Sequence, residues 1–132
     1  MRIVTEQNYS FEEWLSTEQI ARDVQQVADQ INADYEGKEP LIIVVLNGAF
    51  IFAADLVRKL NLHCDITFLR VSSYAGMAST GELKFIVPLQ QEVTGRDVIL
   101  IEDVVDSGLT MHHLKAYLRA QGANSIKVAT ML

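Results

Sequence analysis

Leu41 to Leu46 reads LIIVVL, and Asp97 to Ile101 reads DVILI. Neither run alternates apolar with polar residues. A strand with one solvated face alternates with period two. An unbroken aliphatic strand is instead buried on both faces, as in a parallel sheet covered by helices on either side. Parallel strands need long crossovers, and helical patterns lie in the right places. From Thr17 to Tyr35, Ile20, Val24, Val27 and Ile31 recur at helical spacing. Ser16 followed by Gln19 fits a capping box, and Gly37 stops the helix. Ala49 to Leu60 reads as a second helix, with Ile51, Ala54, Leu56 and Val57 towards the core. Thr110 to Gln121 reads as a third, ended by Gly122.

Further strands are expected at Asp65 to Val71, Leu83 to Leu89 and Ser125 to Leu132. Between the first two lies Ser72 to Gly81, SSYAGMASTG, a small polar loop of the kind that serves as a lid or binding loop. The expected fold class is α/β, a doubly wound, mainly parallel sheet flanked by helices. With 132 residues and neither repeats nor a linker, residues 1–132 are expected to form a single domain. Ligands of such sheets bind beyond the carboxyl ends of strands. Two segments qualify: Leu46-Asn47-Gly48 and Glu102 to Thr110.

Composition narrows the classes. Eleven basic residues face 17 acidic ones, for a net charge of −6. The basic residues are scattered, which argues against nucleic acid as a partner. No apolar run approaches the roughly 20 residues of a membrane helix, and no apolar signal core opens the chain. The single cysteine, Cys64, excludes an intrachain disulfide and a multi-cysteine metal cluster. No membrane partner is expected, and the expected compartment is the cytoplasm.

The chemistry concentrates in Val98 to Thr110, VILIEDVVDSGLT. Glu102 and Asp103 stand where a strand ends. Their side chains point to opposite sides if strand geometry persists. Two apolar residues later come Asp106, Ser107, Gly108, Leu109 and Thr110, entering a helix. That stretch offers successive N–H donors, two hydroxyls and a glycine at a helix N-terminus, which suits a phosphate monoester. A D-x-G-x-T before a helix also serves as an ordinary capped turn. Three carboxylates beside a buried strand need more explanation: their repulsion calls for a cation or substrate hydroxyls.

IEDVVDSGLT resembles the phosphoribosyl-pyrophosphate (PRPP) motif of the type I phosphoribosyltransferases. LNGAFIFAADLV at Leu46 to Val57, SSY at Ser72 to Tyr74, STG at Ser79 to Gly81 and GRDV at Gly95 to Val98 resemble the hypoxanthine(-guanine) members of that family. LSTEQI from Leu15 and ADYEGK at Ala33 to Lys38 add to the likeness, which covers nearly the whole chain.

The resemblance implies transfer of 5-phosphoribosyl from PRPP to N9 of hypoxanthine or guanine, yielding IMP or GMP and pyrophosphate, with Mg2+ as cofactor. PRPP and a 6-oxopurine are the implied ligands, and a homo-oligomer, dimer or tetramer, the implied assembly. By the same resemblance Asp106 to Thr110 hold the 5′-phosphate, and Asp106 is the general base at purine N7. Glu102 and Asp103 face the ribose hydroxyls and the metal. Leu46, Asn47 and Gly48 contact pyrophosphate through a turn often held in a cis peptide. Ser73 and Tyr74 lie on a loop that closes over the reaction.

Two departures stand out. Many members carry lysine where this chain has Asn47, so the turn is expected to act through its backbone. Members also continue past ATML into a purine-reading segment, so a chain ending at Leu132 is expected to hold the PRPP half of the site. Two alternatives keep the fold: a non-catalytic PRPP-binding regulator that recognises RNA, and transfer to xanthine, adenine or a pyrimidine. Other residues invite duller readings. His112 and His113 point apart on a helix. Cys64 is expected to be a buried thiol, Tyr9, Phe11 and Trp14 a packing cluster or subunit contact, and Asp55 a helix position facing solvent.

Overall fold

A computed structural model describes residues 3–6, 9–72, 83–105 and 108–132. Seven strands and three helices are numbered in chain order among them. A two-stranded antiparallel hairpin, β1 (Ile3–Glu6) and β2 (Tyr9–Glu12), precedes helix α1 (Thr17–Asp34). Then follow β3 (Leu41–Val45), α2 (Phe50–Val57), β4 (Asp65–Ser72), β5 (Lys84–Val87), β6 (Asp97–Glu102), α3 (Leu109–Ala120) and β7 (Ser125–Thr130). The main sheet has the order β5-β4-β3-β6-β7. β4, β3, β6 and β7 run parallel, and β5 closes one edge antiparallel.

The aliphatic strands are buried on both faces, as their composition predicts. Ile42, Val44, Ile99 and Ile101 face α1 and α2, where Val24, Ala28, Ile31, Phe52, Ala53 and Leu56 cover them. Leu41, Ile43, Val45, Val98 and Leu100 face α3, against Met111, Leu114 and Leu118. At α1, the Ser16 hydroxyl accepts the Gln19 N–H at 3.1 Å. The Gln19 side chain pairs with Asp23 and Arg22, so the cap is the single Ser16 bond rather than the expected reciprocal box.

In α2 the inward face differs from the expectation. Phe52, Ala53 and Leu56 are buried, while Ile51 and Ala54 are exposed. The helix begins FIFAA, apolar on every side. Periodicity cannot choose a face there, and contact with the sheet does. In β4, Thr67 and Leu69 turn inward, and Ile66 and Phe68 are exposed. Register places Ile66 beside Ile42 and Phe68 beside Val44. They therefore share the α2 side of the sheet, beyond the strands α2 covers. Trp14 is 77% exposed, and the side chains of Tyr9 and Phe11 lie outside the described residues.

The strand ends opposite the candidate site are tied by polar bonds. Arg96 reaches the Asp65 carboxylate at 2.9 Å and the Glu39 carbonyl at 3.2 Å. Asp97 accepts from Asn124 and Ser125 at 2.8 and 2.6 Å. Among the described residues no helix is long and apolar enough to cross a membrane.

Candidate functional site

Strand order reverses at β3 and β6: the chain leaves β3 towards β4, while β6 leads outward to β7 on the other side. In open α/β sheets ligands bind outside the carboxyl ends of the strands at such a switch point. Leu46-Asn47-Gly48 and the described part of Glu102 to Thr110 follow those strand ends.

At the end of β3, the Leu46 N–H donates to the Leu69 carbonyl at 2.9 Å. The Leu46–Asn47 peptide is cis, as the resemblance implies for this turn. The Asn47 carbonyl accepts the Phe50 N–H at 3.3 Å, leading the chain into α2. Leu46 packs against the core, and Asn47 and Gly48 are exposed.

At the end of β6, Glu102 and Asp103 converge instead of pointing apart. The strand stops at Glu102, so Asp103 leaves the pleat. The Asp103 N–H donates to Glu102 Oε1 at 3.0 Å, and Asp103 Oδ1 accepts the Val104 N–H at 2.8 Å. Burial, and then a side-chain hydrogen bond to Asp103, raise the Glu102 carboxyl to about 7. The hydrogen bond from Glu102 holds the Asp103 carboxyl below its ordinary range. A proton on Glu102 would relieve the repulsion within the pair.

The two strand ends meet at Gly48. A Cβ on residue 48 would lie 2.8 Å from Asp103 Cγ and 3.1 Å from Oδ1. The absence of a side chain there lets the Asp103 carboxylate rest on the turn. Gly48 was legible as a glycine turn, but its partner was not.

Gly108 caps α3 with φ of 79°, and its carbonyl accepts the His112 N–H at 2.8 Å. Positive φ suits glycine, so this start of the helix is written in the sequence. Leu109 and Thr110 form its first turn, half-buried. Of the remaining expected site residues, Asp106, Ser107, Ser73 and Tyr74 lie outside the described residues, as does most of the Ser72 to Gly81 loop.

Sequence reasoning missed one link. The chain after β7 returns to the acid pair: Leu132 N–H donates to the Asp103 carbonyl at 3.1 Å, and Val105 N–H to the Leu132 oxygen at 3.2 Å. Backbone pairing at that separation leaves no side-chain pattern to read.

Elsewhere, His112 is exposed and His113 half-buried, with rings 5.5 Å apart and edge-on. Cys64 is half-buried, and burial raises its thiol. Among the described residues no group of three or more His, Cys, Asp or Glu could hold a metal by itself. Glu102 and Asp103 supply hard carboxylate oxygens. Such a pair suits Mg2+, which binds through one or two carboxylates together with substrate phosphates.

Residues 10–132 match the family model described as phosphoribosyl transferase domain. The hypoxanthine-guanine phosphoribosyltransferase of Streptococcus agalactiae serotype V is 40% identical over 117 residues, covering 88% of this chain and 65% of that protein. The Streptococcus thermophilus protein of the same name is 38% identical with the same coverage. The chain thus spans 65% of the length of these curated relatives. Among solved structures, a hypoxanthine-guanine phosphoribosyltransferase from Bacillus anthracis superposes with a TM-score of 0.85. It is 38% identical, and the match covers 91% of this chain and 72% of that one. A hypoxanthine phosphoribosyltransferase from Staphylococcus aureus gives a TM-score of 0.83 at 32% identity, covering 90% of this chain and 65% of the other.

Proposed function

Because the chain belongs to the phosphoribosyl transferase family, in its hypoxanthine-guanine group, we propose that it serves purine salvage. It transfers the 5-phosphoribosyl group of PRPP to N9 of hypoxanthine or guanine, and IMP or GMP and pyrophosphate leave. The observation that carries this reading is the meeting of the Leu46–Gly48 turn with the Glu102–Asp103 pair, one Cβ's width apart, at the switch point of the sheet.

In this reading the N-terminus of α3, with Gly108, Leu109 and Thr110, receives the 5′-phosphate together with Asp106 and Ser107. Asp103, ionised, faces the ribose hydroxyls and Mg2+, and Glu102 shares that role. When bound, Mg2+ neutralises charge that develops on departing pyrophosphate. The Leu46–Gly48 turn holds pyrophosphate through backbone groups, since Asn47 brings no charge. Asp106 takes the proton from purine N7, and Ser73 and Tyr74 belong to a closing loop. The net charge of −6 favours the enzyme over an RNA-binding regulator.

The proposed assembly is a homo-oligomer. Exposed Phe50, Ile51, Ile66 and Phe68 on the α2 side of the protein support it, because apolar surface of that kind calls for a partner. The proposed compartment is the cytoplasm.

The test is product formation from PRPP, Mg2+ and a base. IMP from hypoxanthine and GMP from guanine, with no product from adenine or orotate, support the reading. Asp106→Asn should cut turnover about 10²–10⁴-fold, the usual worth of general-base help. Turnover within threefold of wild type would remove the base from Asp106. Product from orotate would refute the purine assignment.

A further inference from the structure

The sheet does not require the connection between residue 132 and the acid pair, yet that connection fixes the pair's backbone. Leu132 bonds to Asp103 on one side of Val104 and to Val105 on the other. The Thr130 hydroxyl donates to the same Leu132 oxygen at 2.8 Å and lies 3.4 Å from the Asp103 carbonyl. The Leu132 oxygen thus receives two donors, the Thr130 hydroxyl and the Val105 N–H.

The Asp103 carboxylate takes its direction from this backbone. Oδ1 accepts the Val104 N–H, and the carboxylate rests on Gly48. Movement of the 103–105 segment would carry the carboxylate off the turn. It would also shift the point from which the chain sets out towards residues 106–110. Among the described residues, the side-chain group that joins this bridge is the Thr130 hydroxyl.

We infer that Thr130 is a positioning residue for the site: its hydroxyl holds the end of β7 against Asp103–Val105 and so keeps the Asp103 carboxylate over Gly48. This rests on the PRPP reading above. Thr130 touches no reacting atom in this account. It acts through the Leu132 oxygen and the Asp103 backbone.

The experiment compares wild type, Thr130→Val and Thr130→Ser by titration calorimetry with PRPP in the presence of Mg2+, and records the thermal midpoint of each. Valine keeps the branched shape that suits β7, where Thr130 pairs with Glu102, and removes only the donor. Serine keeps the donor and loses the methyl group. PRPP affinity should fall roughly two- to tenfold in Thr130→Val, the range one neutral hydrogen bond supports. It should return to within twofold of wild type in Thr130→Ser. A purely structural residue would lower the midpoint and leave PRPP affinity unchanged. Equal affinity in wild type and Thr130→Val overturns the inference, as does equal weakening in Thr130→Ser. If wild type itself binds no PRPP, the functional reading fails first and this inference falls with it. That outcome is visible before any variant is compared.

Discussion

Glu102→Gln should stabilise the protein at alkaline pH and do little at acid pH. In the folded chain the Glu102 carboxyl is raised from 4.5 to about 7, chiefly by burial. The folded state therefore keeps a proton that the unfolded chain has released between those values. With respect to this group, stability is fully present below 4.5 and falls as pH rises through about 7. The full displacement carries a ceiling of about 3.4 kcal/mol at about 1.4 kcal/mol per pH unit. Glu102 is only half-buried, and solvent screening lowers that to about 1–2 kcal/mol. Glutamine is never ionised, and its amide can still donate to Asp103. Asp103 is held below its ordinary 3.8, so it stays charged across this range and does not confuse the comparison. Urea unfolding of both proteins at pH 5.5 and 8.5 checks the reasoning. About two fifths of the loss has already occurred by pH 5.5, so the gain from Glu102→Gln should be larger at pH 8.5 by about 0.6–1.2 kcal/mol. A gain that is the same at both pH values, or smaller at pH 8.5, would refute the buried-proton account.

Gly48→Ala should push the Asp103 carboxylate off the turn, since its Cβ would lie 2.8 Å from Asp103 Cγ. PRPP affinity should fall about tenfold by calorimetry while unfolding free energy changes by less than about 2 kcal/mol, because the obstructing atoms end a side chain. Ser16→Ala removes the acceptor for the Gln19 N–H and should cost about 1 kcal/mol in urea unfolding, with PRPP binding unchanged. No loss of stability would show that α1 is held by packing alone.

The central architecture was legible because burial on both faces leaves a mark. LIIVVL and DVILI could sit in few other places, and their residues divide alternately between the two helix layers. The site could be located from the same runs, since each ends in a polar segment. Local geometry at the ends was less legible. Glu102 and Asp103 converge because β6 stops between them, a boundary no residue type announces. The face of α2 was misjudged because Phe50 to Ala54 are all apolar. The β1–β2 hairpin went unread because two four-residue strands are too short for a pattern. The bond from Leu132 to Asp103 involves backbone alone and depends on where β7 ends.

The central claim is that the carboxyl ends of β3 and β6 form one site for magnesium-bound PRPP. Calorimetric titration of wild type and of the Glu102→Gln, Asp103→Asn double variant with PRPP, with and without Mg2+, tests it most directly. Two neutral amides keep the shape of the pair and remove its affinity for a hard cation. The account predicts magnesium-dependent binding in wild type and affinity at least about tenfold weaker in the double variant, a difference of about 1.4 kcal/mol. Unchanged magnesium-dependent affinity in the double variant would make the acid pair structural and contradict the claim.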